Sequence, residues 1–139
     1  EKRILNDFTA QLIAEFKAND GKVGGPFENS RLLLLTTTGA RTGAPRTAIL
    51  GYYPDGDRVL VVGSAGGGPK HPGWYHNLRK HPLAAITHRG VTTAVSARLL
   101  EGEERERCFA AAAAMYPGCA DYRRRAAHRT IGVFRLSPA

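Results

Sequence analysis

Apolar side chains at Ile4, Leu5, Phe8, Leu12, Ile13 and Phe16 recur every three or four positions, with charged residues between them. That spacing predicts an amphipathic helix over residues 3–18, whose apolar face can dock on the domain's own sheet or lie on a membrane surface. Gly21–Phe27 reads as a loop. The pattern then shortens to that of strands. RLLLLTTT, Arg31–Thr38, reads as a buried strand that TGARTGAP ends in a turn. Arg46–Tyr53 resumes as a second strand, Pro54–Asp57 as a tight turn, and Arg58–Val62 as a third strand that runs into a glycine loop.

Gly73–Arg79 fits a short helix ended by Lys80-His81-Pro82. Leu83–His88 and Val91–Leu100 read as strands joined at Arg89-Gly90 in a hairpin. Glu101–Met115, rich in Glu, Arg and Ala, predicts a helix with acids in its first turn. Pro117-Gly118 interrupts it, a short helix over Tyr122–Ala127 follows, and Thr130–Leu136 closes as a last strand. Six strands with turns between them and helices at the periphery predict an α+β antiparallel barrel, since helices do not alternate regularly with strands as a doubly wound parallel sheet would require.

At 139 residues the chain is the size of one domain, 1–139, and its 42% hydrophobic and 23% charged content is that of a globular protein. No apolar run approaches the length of a membrane span, and the N-terminal stretch lacks the uninterrupted apolar core of a signal peptide, so the expected location is cytoplasmic. Cys108 and Cys119 are too few for a disulfide framework. The net charge of +8 implies attraction to an anionic partner: nucleic acid, anionic lipid or an anionic small molecule.

Candidate chemistry begins with GSAGGGPKHPGWYHNL, Gly63–Leu78. Gly63 and Gly68 have the separation of a Walker A loop, but Pro69 stands where its lysine belongs and no Ser or Thr follows Lys70. No G-x-G-x-x-G opens a helix either. The histidines His71, His76, His81, His88 and His128 form no metal-binding constellation, and no metal is expected.

Three blocks, LLLLTTTGARTGAPR (Leu32–Arg46), GYYPDGDRVLVVGSAGGGPKHPGWYHNLRKHP (Gly51–Pro82) and AMYPGCADYRRRAAHRTIGVFRL (Ala114–Leu136), occur in this order. Together they resemble the deazaflavin-dependent nitroreductase family, actinobacterial proteins with a split β-barrel fold that use coenzyme F420, a 5-deazaflavin bearing a phosphate and an oligoglutamate tail. The resemblance implies a split β-barrel of about six antiparallel strands with peripheral helices, and an oxidoreductase passing a hydride from the reduced coenzyme to a flat electrophile such as a quinone, an enone or lactone, or a nitroaromatic.

On this resemblance Arg41 and Arg46 sit at the barrel's rim and meet phosphate or tail carboxylates, a task suited to the guanidinium fork. Thr42 adds a hydroxyl donor, and Pro45 and Ile49 belong to the same cofactor-binding set. Gly63, Ser64 and Ala65 would cradle the cofactor with bare backbone N–H groups, Lys70 would add charge, and Gly73, Trp74 and Asn77 match family positions close to the cofactor. The rival reading makes Trp74 plain core, Asn77 a group satisfying backbone at a helix end, and the arginines solvated turn residues.

The acceptor pocket implied by the resemblance uses the N-terminal helix with Tyr116, Cys119 and Tyr122. Cys119 stands where nitroimidazole-reducing members carry a tyrosine and Gly51 where another is expected, so drug activation does not follow; Ala65 stands where a lysine occurs, which weakens one anionic contact. Other classes remain: an FMN or haem protein on the same barrel, a carrier that binds deazaflavin without turnover, and a nucleic-acid-binding module. The last has one basic run, Arg123–Arg129, without interleaved aromatics, so no nucleic-acid partner is expected. The expected partner is a small-molecule electron acceptor, with peripheral membrane contact through the N-terminal helix as a second use of that face.

Overall fold

A computed structural model describes residues 11, 13, 14, 32–63, 70–115, 123, 124 and 130–139. Seven strands form one antiparallel sheet: β1 (Leu32–Thr38), β2 (Pro45–Gly51), β3 (Tyr53–Asp55), β4 (Arg58–Val62), β5 (Leu83–His88), β6 (Val91–Leu99) and β7 (Val133–Pro138). Their lateral order is β2-β1-β5-β6-β7-β4-β3. Among the described residues, helices with full bounds are α1 (Gly73–Lys80) and α2 (Gly102–Met115).

The expected second strand, Arg46–Tyr53, is two strands. β2 pairs with β1 at one end of the order and β3 pairs with β4 at the other, with Tyr52 alone between them. One residue can join opposite ends of a seven-stranded order only if the sheet curls round until they meet, because a residue spans about 3.3–3.6 Å while neighbouring strands lie about 4.7–4.9 Å apart. This closure makes the architecture a half-barrel of the split-barrel kind. The turn expected over Pro54–Asp57 narrows to Gly56-Asp57, where Gly56 takes φ 66° and Pro54 and Asp55 join the ladder. The hairpin at Arg89-Gly90 has φ 50° and 78°, both left-handed, as a two-residue type I′ turn demands.

β1 opens with four consecutive leucines, Leu32–Leu35, because this half of the strand is covered on both faces. Leu33 and Leu35 enter the main core with Val61, Leu78, Val95, Phe134 and Leu136, while Leu34 packs oppositely with Leu32, Ile49 and Ile13. Each fully buried leucine contributes about 1.5–3 kcal/mol. Gln11, Ile13 and Ala14 are helical, and Ile13 turns onto the sheet; the rest of the helix expected over residues 3–18 lies outside the described residues. Arg123 and Arg124, within the short helix expected at Tyr122–Ala127, are helical as well.

α1 ends where Pro82 forces its predecessor out of helical geometry: His81 is extended at φ −128°, ψ 90°, and its N–H donates to the Asn77 carbonyl at 2.8 Å. α2 carries Glu103 and Glu104 in its first turn, where the helix dipole favours acids, and buries Phe109 and Ala112 against Leu60, Leu100, Ile131 and Val133. The last strand starts at Val133 rather than Thr130. Gly132 instead receives the Gly63 N–H at 2.8 Å and faces the Tyr75 ring.

Away from the barrel mouth, Arg135 of β7 joins three elements. Its Nε donates to Asp55 Oδ2 and its Nη1 to Glu104 Oε2, each at 2.9 Å, and Arg98 forks onto both oxygens of Glu104 at 2.9 and 3.0 Å. These hydrogen bonds, from Arg98 foremost and then Arg135, lower the Glu104 carboxyl to about 2.

Candidate cofactor cleft

The turn between β1 and β2 is compact for local reasons. Gly39 N–H donates to the Ala44 carbonyl at 2.7 Å, and Gly43, at φ 73°, donates to the Gly39 carbonyl at 2.9 Å. A Cβ on Gly39 would lie 3.0 Å from the Ala44 oxygen, so a side chain there would press on the turn it closes. The Thr42 hydroxyl accepts the Ala44 N–H at 3.2 Å, and its own hydrogen is left as a donor. Arg41 lies at the tip, and Arg46 sits opposite Thr37 in the ladder.

Helix α1 faces this turn across the barrel mouth. Asn77 is buried and uses both ends of its amide: Oδ1 accepts the Ala40 N–H at 2.9 Å, and Nδ2 donates to Thr37 Oγ1 at 2.9 Å. One helical turn on, Lys80 Nζ donates to the Ala40 carbonyl at 2.8 Å. Trp74 packs on the main core, with its ring 5.9 Å from Phe134 at 63°, and its remaining surface faces the cleft. His71 stacks on Tyr75 at 3.8 Å and 4°, which steadies the start of the helix.

Between turn and helix lies a cleft of about 790 Å³, within the range of about 300–1,000 Å³ typical of small-molecule sites. Six of the residues expected to bind cofactor line it together: Arg41, Thr42, Arg46, Gly73, Trp74 and Asn77. Among the described residues no carboxylate lines it, and Arg41 and Arg46 are exposed with no ion pair. Among the described residues, a flat aromatic wall, two arginines without ion pairs and a lining free of acids suit an anionic, partly aromatic ligand. The donor set therefore fits a deazaflavin with a phosphate and carboxylate tail.

Four expected residues are not brought to this lining. Ile49 points to the other side of the sheet with Leu34 and Ile13. Pro45 is exposed at the start of β2, and Lys70 is exposed ahead of α1. Gly63 is buried against Gly132 and Pro72. Ser64, Ala65, Tyr116, Cys119 and Tyr122 lie outside the described residues.

Sequence reasoning missed Thr37, Gly39, Ala40, Thr47, Ala48 and His76, which also line the cleft. Strand alternation from Arg46 would have found Ala48, and the pairing of Thr37 with Arg46 needs a register that periodicity does not supply. Among the described residues no group of three His, Cys, Asp or Glu side chains is placed to hold a metal, and no helix is long and apolar enough to cross a membrane.

A curled antiparallel sheet with a cleft at its mouth lined by Arg41 and Arg46 defines a split-barrel protein suited to an anionic cofactor. Residues 10–138 match the F420H(2)-dependent quinone reductase family, and the chain belongs to it. It is 47% identical over 74 residues to an F420H(2)-dependent quinone reductase of Mycobacterium tuberculosis, a match covering 52% of this chain and 50% of that protein. The chain thus spans about half the length of the curated relatives it matches. A solved F420-H2 dependent reductase, FDR-A, superimposes with TM-score 0.70 at 36% identity over 77% of this chain and 94% of that one. A solved domain-swapped dimer superimposes with TM-score 0.71 at 32% identity over 98% of both chains.

Proposed function

We propose that this chain is a reductase that binds reduced coenzyme F420 at the barrel mouth and passes a hydride to a quinone-type acceptor. The observation that carries the reading is the cleft itself: among the described residues Arg41 and Arg46 are exposed without an ion pair on a wall without carboxylates, opposite the ring of Trp74, in a chain of this family. Paired arginines would be structural; unpaired ones at a cleft are ready for an anion.

In this reading Arg41 and Arg46 take phosphate or tail carboxylates, and the Thr42 hydroxyl donates beside them. Trp74 offers an aromatic face that excludes water from the ring system. The coenzyme, when bound, supplies two electrons as a hydride; the protein's share is to orient it and shield it. Flat electrophiles, quinones foremost and enones, lactones or nitroaromatics behind them, are the acceptors proposed. Tyr116, Cys119 and Tyr122 remain proposed acceptor contacts. Ile13 packs on Leu34 and Ile49 within the protein, so that side chain is not one a membrane would take.

The test is a fluorescence titration of the protein with oxidised F420, with FMN run alongside, followed by menadione reduction with the reduced coenzyme. Saturable, salt-sensitive binding of F420 in preference to FMN, with turnover, is expected. Preference for FMN, or no binding of either, overturns the reading.

A further inference from the structure

Ala40 immediately precedes Arg41, and both polar groups of its backbone are held by side chains of α1: the N–H by Asn77 Oδ1 and the carbonyl by Lys80 Nζ. The Ala40 N–H can only donate, so it fixes Oδ1 as the end of the amide that faces it, and Nδ2 is left to bond Thr37 Oγ1. We infer that Asn77, Lys80 and Thr37 form a clamp that sets the position of the Arg41–Thr42 turn before any ligand arrives, and that Asn77 is a positioning residue rather than a contact for the cofactor. The inference rests on the proposed binding of F420 at this cleft.

The geometry argues for this division of labour. Buried Asn77 has its acceptor and one donor engaged within the protein, so a ligand bonding to Oδ1 would compete with the Ala40 N–H. The turn's own bonds, Gly39 to Ala44 and Gly43 to Gly39, close its base and leave Ala40 to α1. Arginine side chains are long and flexible, so where a guanidinium can reach depends on where its Cα is held. A turn already ordered in the free protein avoids an ordering cost on binding. The residues come from two segments some forty positions apart, and a loose turn would have no reason to acquire three such anchors.

The test uses the full chain and two readouts: hydrogen exchange of the Ala40 amide without ligand, by NMR, and affinity for oxidised F420 by fluorescence. Asn77→Ala is expected to speed Ala40 exchange about tenfold or more and to weaken F420 about tenfold, a change of about 1.4 kcal/mol. The salt dependence of binding should stay as in the wild type, because no charge is removed. Thr37→Ser keeps the hydroxyl and should behave as wild type in both. Weakened binding with unchanged Ala40 exchange would overturn the inference in favour of a direct contact. Faster exchange with unchanged affinity would also overturn it, since the order of the turn would then not matter.

Should Asn77→Ala fail to fold, Lys80→Met, at an exposed position, is read by the same two measurements with the same outcomes, with affinity compared at high salt so that the lost charge is screened. If the wild-type protein itself fails to bind F420, the proposed function fails. The Ala40 exchange, measured without ligand, still decides whether the clamp holds the turn.

Discussion

The ring of Tyr75 occupies the space where Gly132 would carry a side chain: a Cβ there would lie 2.5 Å from Cε2 and 2.8 Å from Cδ2. Tyr75 belongs to α1, and Gly132 leads into β7 and accepts the Gly63 N–H. The contact therefore fixes the distance between the cleft's helix and the sheet. Gly132→Ala must push a buried ring aside, and the expected loss is about 1–3 kcal/mol, the usual cost of overpacking. Urea unfolding measures it; a midpoint equal to that of the wild type would show that α1 moves freely.

Removing one arginine from the cleft should weaken F420 binding and also flatten its salt dependence. Arg41→Gln and Arg46→Gln are each expected to cost about 1.5–3 kcal/mol, the range for a hydrogen bond to a charged group. Titrations at low and high salt separate this from the Asn77 effect, which leaves the salt slope alone. A slope that persists in both arginine variants would place the anion elsewhere.

Trp74 is the single tryptophan of the chain and faces the cleft, so no label is needed to see occupancy. Its emission should be quenched in proportion to bound F420 and remain unaltered by a ligand that docks elsewhere. Binding by ultrafiltration with no change in this emission would contradict the proposed placement of the ring system.

The carboxyl of Glu104, lowered to about 2 from an ordinary 4.5, makes a sign prediction. A group whose pKa falls on folding stabilises the protein above its unfolded pKa and loses that contribution as pH drops through the folded value. The Tm gap between wild type and Glu104→Gln should therefore be full above about pH 5 and close on the way down to about pH 2. A gap independent of pH across that window would mean that the bonds from Arg98 and Arg135 do not discriminate the charged form.

His88 shifts downward too, through burial first and the neighbouring Arg89 second, while its Nε2 shares a 2.9 Å hydrogen bond with the Tyr52 hydroxyl. Folding here favours the neutral ring, so stability is present above 6.5 and is lost as pH falls through the lowered value. An NMR titration should place His88 below 6.5, and Arg89→Gln should move it back upward. A wild-type value at or above 6.5 would refute the stated cause.

Much of the fold was legible because local chemistry dictated it. Leu32–Leu35 announced a strand covered on both faces, Arg89-Gly90 a two-residue hairpin, Pro82 the end of α1, and Glu103 and Glu104 the start of α2. The arginines and Trp74 of the cleft were legible through motifs. The seventh strand was not, since nothing in GYYPDGD distinguishes a strand running on through Tyr52 from one that turns a corner there. Thr37 was missed as a site residue for a similar reason: its partners, Asn77 and Arg46, depend on the seating of α1 and on a cross-strand register.

By itself the sequence determined most of the described elements, the Arg89-Gly90 hairpin turn, the basic balance and the residue types able to meet an anion. These follow from periodicity, steric limits on φ and charge, all of which act over a few residues. Only the tertiary structure decided that β2 and β3 lie at opposite ends of the strand order and meet through Tyr52. It alone turned Ile49 away from the cleft and brought Asn77 and Lys80 onto Ala40. Those outcomes depend on how the sheet curls and on which strand pairs with which, and contacts between distant segments are chosen by the whole packed core rather than by any stretch of chain.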